Sequence, residues 1–143
     1  MSAEKLYSEI FEEFESCKHN PERIKVLQKY DHRNFREFLV CAFHAGIQFD
    51  VELPKTYRPA PEPAGLNYTY LSSEVSKLYR FIHNHPKRNP DFTGQKQTAV
   101  LKTILEALHK DEARLMVKLI QKDLDIKQLT PAIIKEAYPD IQL

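Results

Sequence analysis

The sequence predicts an all-α protein, a single compact bundle of about six to seven helices. Glycine is scarce, with three in 143 residues. Apolar residues recur at three- and four-residue spacing along most of the chain, the period of an amphipathic helix. The β-branched alternation of a strand is absent. One stretch, residues 47–69, departs from the pattern and predicts a long proline-rich extended loop.

The first helix is expected over Ala3 to Ser16, where Leu6, Ile10 and Phe14, with Tyr7 and Phe11, form one apolar stripe. The second is expected over Pro21 to Lys29, with Asn20 as N-cap and Pro21 at the first helical position. The third runs from Asn34 to Ala45, with Phe35, Phe38, Leu39 and Ala42 inward and Gly46 as its stop. Pro54, Pro59, Pro61 and Pro63 then forbid a helix. Ile47, Phe49, Val51 and Leu53 are placed to anchor that segment to the core. A fourth helix spans Ser72 to His83 with Val75, Leu78, Tyr79 and Ile82 buried. The loop FIHNHPKRNP follows, closed by Pro86 and Pro90. A fifth helix spans Thr93 to Lys110 on Val100, Leu101, Ile104, Leu105 and Leu108. The sixth covers Asp111 to Lys122 on Leu115, Met116, Leu119 and Ile120. The seventh starts at the Thr130–Pro131 cap and ends near Tyr138–Pro139. One domain over residues 1–143 is the expected organisation, with no internal repeat.

Composition limits the function classes. No apolar run reaches the roughly 18 residues of a membrane helix, and the acidic first residues lack the order of a signal peptide. An intracellular protein with no membrane partner is expected. Cys17 and Cys41 read as free thiols rather than a disulfide. The total charge is +1, but it is segregated. Residues 1–20 hold five glutamates against two lysines, and residues 76–135 hold twelve Lys or Arg against six acids. Such asymmetry points to a polyanion on one face, or to two solvated helix faces.

Catalytic patterns are missing. His83-Asn84-His85 lacks the further ligands of a metal site. The three glycines are isolated, so no loop cradles phosphates, and no G-x-S-x-G elbow occurs. Cys17 and His19 lack a visible orienting third group. The expectation is no enzyme, no metal, no cofactor and no small-molecule substrate. Two cationic features remain. Lys87 and Arg88 sit on the tip of the quoted loop. Lys110, Arg114, Lys118 and Lys122 are spaced by four residues on the sixth helix, with Asp111, Glu112 and Asp123 at the stripe's edges. Like charges at that spacing cost a few tenths of a kcal/mol per pair. The stripe fits a helix lying along a phosphate backbone, or a solvated face partnered by the acidic first helix.

The segments NFREFLVCAFHAGIQFDVELP, EVSKLYRFI and LKTILEALHKDEARLMVKLIQKDLDIKQLTPAIIKEAYPDI resemble the N-terminal DNA-binding domain of the ATP-dependent DNA ligases of T-even phages. The matching features fall on Phe43 to Pro54, on Leu78 and Phe81, on Lys122-Asp123-Leu124, and on Lys135 with Tyr138-Pro139. The chain also looks like a set of small uncharacterised proteins of T4-like cyanophages, through FEEFE, KYDH, PAPEPAGLN, KLYRFI, HPKR and LHKDEA. The second resemblance covers nearly the whole chain, and the first about residues 20–143. They imply a bacteriophage protein in the cytoplasm of the infected bacterial host. They also imply a helical domain that embraces double-stranded DNA by its backbone without reading sequence. The ligase K-x-D-G lysine is absent, so ligase chemistry is not implied. The ligases' Gly and Ser turn is replaced here by Ile126-Lys127-Gln128-Leu129-Thr130, where Lys127, Thr130 and the last helix's N-terminus can hold a phosphate. The DNA-contact set expected is Lys87, Arg88, Lys110, Arg114, Lys118, Lys122, Lys127 and Thr130. The alternative is a module that keeps the ligase-type fold but binds host or phage replication proteins.

Overall fold

The structure, a computed structural model, describes residues 5–61 and 69–143. Seven α-helices occur among them: α1 (Tyr7–Ser16), α2 (Asn20–Lys29), α3 (Arg33–Phe43), α4 (Leu71–Glu74), α5 (Gln95–Ala107), α6 (Lys110–Ile120) and α7 (Pro131–Ala137). A 3₁₀ helix, Val75–Phe81, continues α4. Among the described residues there is no strand, only two isolated bridges, Phe49 with Ile82 and Ala60 with His109. The all-α expectation holds.

The expected apolar stripes are the observed core. Tyr7, Ile10, Phe11 and Phe14 of α1 are buried, as are Phe35, Phe38, Leu39 and Ala42 of α3. The Tyr7 ring meets the Phe35 and Phe38 rings edge-on at 5.1 and 5.2 Å, a favoured aromatic geometry. Leu115, Met116, Leu119 and Ile120 of α6 close the same cluster. At the other end α7 lies on α2, where the buried Tyr138 hydroxyl donates to the Leu27 carbonyl. Thr130 caps α7 as expected, its Oγ1 accepting from the Ile133 N–H at 3.3 Å.

Three local expectations are corrected. Helix α2 begins one residue early, at Asn20, with His19 as its N-cap. The segment after α4 winds as a 3₁₀ helix, so its buried residues recur every three: Val75, Leu78 and Phe81. The 3.6-residue reading had chosen Tyr79 and Ile82, which are only half-buried. Helix α3 does not end on a left-handed Gly46. Its last turn is closed by Lys122, whose Nζ donates to the Cys41 and His44 carbonyls at 2.7 and 2.8 Å. Cys41 lies in the core and Cys17 is partly exposed at the end of α1, and both are free thiols.

The described part of the proline-rich segment is a strap. The Asp50 N–H donates to the Phe81 carbonyl at 3.0 Å, and the His83 N–H to the Gln48 carbonyl at 2.7 Å. Further along, Thr98 Oγ1 donates to the Glu52 carbonyl at 2.8 Å, and the Ala60 N–H to the Leu108 carbonyl at 3.0 Å. Val51 is buried, and Phe49 and Leu53 pack against the core, while Ile47 is half-buried. These bonds carry the chain from the end of the 3₁₀ helix to the α5–α6 junction. Residues 62–68 of the expected loop, and residues 3–4 of the expected first helix, lie outside the described residues.

One buried carboxylate joins the two halves. Glu112, 1% exposed, accepts the Tyr7 N–H on Oε2 and the Leu71 N–H on Oε1, each at 3.1 Å. Tyr7 and Leu71 are the first residues of α1 and α4. Their N–H groups have no partner within their own helices, and Glu112 satisfies both. Glu112 therefore lies on the core face of α6 rather than at the edge of a cationic stripe.

Candidate functional site

Of the eight residues that the sequence selects for phosphate contact, Arg88 and Lys122 are engaged by groups of the protein itself. Arg88 is engaged inside the fold. Its Nη1 donates to Asp50 Oδ1 and Oδ2 at 2.6 and 2.7 Å and to the Ile82 carbonyl at 3.2 Å, and its side chain is 10% exposed. Asp50 also takes the His83 Nδ1 at 3.1 Å and Gln97 Nε2 at 3.4 Å. Burial alone would raise the Asp50 carboxyl, but the Arg88, His83 and Gln97 hydrogen bonds outweigh it and hold the pKa below its ordinary value. His83 thus serves the strap. Lys87 is exposed beside this cluster.

On α6, Lys110 and Arg114 are exposed and Lys118 is half-buried. The stripe stops there because the helix stops at Ile120. The Lys122 N–H donates to the Leu119 carbonyl at 2.9 Å and the Asp123 N–H to the Lys118 carbonyl at 3.0 Å. This is the Schellman closure, with Lys122 at the left-handed position (φ 60°) that glycine usually holds. The turn redirects Lys122 to α3. Burial holds its ammonium pKa below the ordinary lysine value.

Arg114 and Lys118 line a groove between α1 and α6. Four carboxylates line it with them: Glu12, Glu15, Asp111 and Asp125. Lys118 Nζ is 3.9 Å from Asp125 Oδ2. Glu15 accepts the backbone N–H of Lys127 at 3.0 Å, and the Lys127 side chain is exposed. The turn before α7 lacks glycine yet takes positive φ at Asp125 (53°) and Gln128 (69°).

A different concavity, which the sequence reading missed, lies between α1, the α2–α3 turn and the start of α4. It is a cleft of about 340 Å³, within the size range of ligand-binding pockets. Tyr7, Ile10 and Phe35 form its buried floor, and Tyr30 is a half-buried wall. Lys5, Lys29, His32, Ser72 and Ser73 stand around it. The Asn34 side-chain amide donates to the Ser72 carbonyl at 2.8 Å and ties the two rims together. Glu13 lies behind the lysines and accepts the Tyr30 hydroxyl at 2.7 Å. That bond, with Lys29 and Lys5 nearby, lowers the Glu13 pKa against a smaller effect of burial. The only hint in the sequence is KYDH, which puts an aromatic, an acid and a histidine in one turn.

Among the described residues, no three His, Cys, Asp or Glu side chains are grouped to hold a metal ion. No helix among them is long and apolar enough to cross a membrane. A search of curated proteins finds no match to the chain. Residues 10–126, from the middle of α1 to the turn that precedes α7, match a family of unknown function, DUF6433, and the chain belongs to that family.

Proposed function

We propose that the chain is a non-enzymatic helical module that binds a protein partner. The observation that carries this reading is the position of the cations on and after α6. Lys122 closes α3, and Arg114 and Lys118 share their groove with four carboxylates. A DNA backbone laid along α6 would meet those carboxylates as well as the cations, and like charge opposes its approach. Arg88, neutralised by Asp50, adds little attraction of its own. The resemblance to the phage ligase domain supports a helical fold reused for binding. Within it, host or phage replication proteins are the partner class.

Sequence-independent binding of double-stranded DNA is the second reading. The exposed side chains of Lys87, Lys110, Arg114 and Lys127 favour it. Fluorescence anisotropy with nicked and intact duplexes, at low and near-physiological salt, separates the two. The protein reading expects no saturable binding at near-physiological salt. Binding that weakens steeply with salt and collapses in a Lys110→Glu/Arg114→Glu double variant would replace it with the DNA reading.

A further inference from the structure

We infer that the cleft between α1, the α2–α3 turn and α4 is a docking site for an acidic peptide segment that presents an aromatic side chain beside a carboxylate. The inference rests on the reading of the chain as a protein-binding module, and it assigns the place and the chemistry of the partner.

The floor of the cleft is apolar. Tyr7, Ile10 and Phe35 belong to the core cluster, and the cleft gives access to them. Tyr30 stands at the side, held by its hydroxyl on Glu13 and covered by Lys29 Nζ at 5.0 Å from the ring centroid. Ring walls of this kind accept another ring in offset or edge-on contact. The wall is fixed before any ligand arrives, so little ordering accompanies binding.

The rim of the cleft is polar. The acceptors near the cleft are already engaged. Asp31 takes Arg36 Nε and Nη2 at 2.7 and 2.8 Å, and Glu13 takes Tyr30 and Lys29. The donors are not. His32 Nδ1 accepts the Asn34 N–H at 3.1 Å, so the neutral ring carries its hydrogen on Nε2 and offers it as a donor. The hydroxyls of Ser72 and Ser73 line the same rim. Lys5 and Lys29, with side chains 49% and 62% exposed, share the single carboxylate of Glu13 at 3.9 and 3.3 Å. Asp31 holds Arg36, which Asp140 also holds at 3.1 Å. The residues that line the cleft thus include two lysines against the one carboxylate of Asp31, over a floor of Tyr7, Ile10 and Phe35. The complementary ligand has an acceptor-rich anion next to an apolar ring. On a protein surface that combination is an acidic residue adjacent to Phe or Tyr.

An array of immobilised hexapeptides, with aromatic and acidic positions varied independently, tests this on the full chain. A Lys5→Glu/Lys29→Glu variant is run in parallel, because both side chains are solvent-exposed and the change leaves the core intact, as circular dichroism would verify. The expected result is retention of peptides that pair an aromatic with an acid, at least about tenfold above versions with glutamine for glutamate. That preference should be lost in the double variant. No enrichment, or enrichment that survives the double charge reversal, overturns the assignment. Adenosine monophosphate, an aromatic ring carrying a phosphate, is titrated by calorimetry in a separate arm. Saturable nucleotide binding with no peptide enrichment also overturns the peptide occupant and makes the cleft a nucleotide site. The duplex-DNA measurement above distinguishes the two levels. Failed peptides with no duplex binding overturn the cleft alone, whereas failed peptides with salt-sensitive duplex binding overturn the protein-binding reading too.

Discussion

Removing the carboxylate of Glu112 should be the most damaging single truncation outside the apolar core. The side chain is almost wholly buried and holds the first N–H of two helices. Glu112→Ala strands both donors, at about 1–3 kcal/mol each, and leaves a gap. Relief from burying a charge offsets part of this. The net loss expected is about 3–5 kcal/mol, comparable to breaking other buried charged contacts. For a chain of this size that lowers Tm by roughly 10–20 °C. Glu112→Gln keeps one carbonyl acceptor and turns an amide NH₂ toward the other donor, so it should cost less, about 1–3 kcal/mol. The pH dependence separates the two further. Burial, opposed by the Leu71 and Tyr7 N–H bonds and reinforced by Glu9, raises the Glu112 pKa above the ordinary glutamate value. The folded state then holds this proton at pH values where the unfolded chain has released it. The group's stabilisation is complete below the ordinary value and is lost as pH rises through the folded one. Glu112→Gln should flatten that slope. The assay is thermal and urea unfolding followed by far-ultraviolet circular dichroism, since the chain has no tryptophan. A Glu112→Ala protein within about 1 kcal/mol of wild type would refute the double-cap argument, because unsatisfied buried donors cannot be that cheap.

Lys122→Ala removes the two bonds that close α3 and leaves alanine at positive φ, so it should destabilise by about 2–4 kcal/mol. Lys122→Gly should cost about 1 kcal/mol less, because glycine takes that backbone freely. Equal losses in urea titrations would contradict the left-handed turn. Arg88→Ala leaves Asp50 short of its main partner and should cost about 2–4 kcal/mol. Arg88→Lys should recover only part of this, since one ammonium cannot reproduce contacts to Asp50, Ile82 and Phe92 together. Full recovery would show that charge alone matters. Burial pushes the Cys41 thiol up to about 12, so a thiol reagent at neutral pH should label Cys17 and spare Cys41 until the protein unfolds. Rapid double labelling of the native protein would contradict the core position of Cys41.

The helices were legible in the sequence because each is amphipathic. A stripe such as Leu115, Met116, Leu119 and Ile120 states its own burial. The 3₁₀ winding after α4 was not legible, because Val75, Leu78 and Phe81 fit the i, i+3 spacing of either helix type. The end of the cationic stripe was not legible for a related reason. Counting by four extends a helix indefinitely, whereas the chain turns left-handed at Lys122, a change that no glycine announces. Asp50 and Glu112 were missed because their partners are remote in sequence. Arg88 is 38 residues from Asp50, and Tyr7 is 105 residues from Glu112. The sole trace of Glu112's position was its place three and four residues before Leu115 and Met116. The cleft was hidden for the same reason, since its floor and rims come from α1, the α2–α3 turn and α4.

The double cap on Glu112 also orders events in time. Synthesis delivers α1 first and α6 more than a hundred residues later. Throughout that interval the Tyr7 amide lacks its Glu112 acceptor, and the apolar face of α1 has only the helices made before α6 to lie on. Loop closure across such a span is slow compared with the formation of local helices. The N-terminal helices therefore form early but become anchored only when α6 leaves the ribosome. From that point, capture of two amides by one side chain fixes α1 and α4 in a single step.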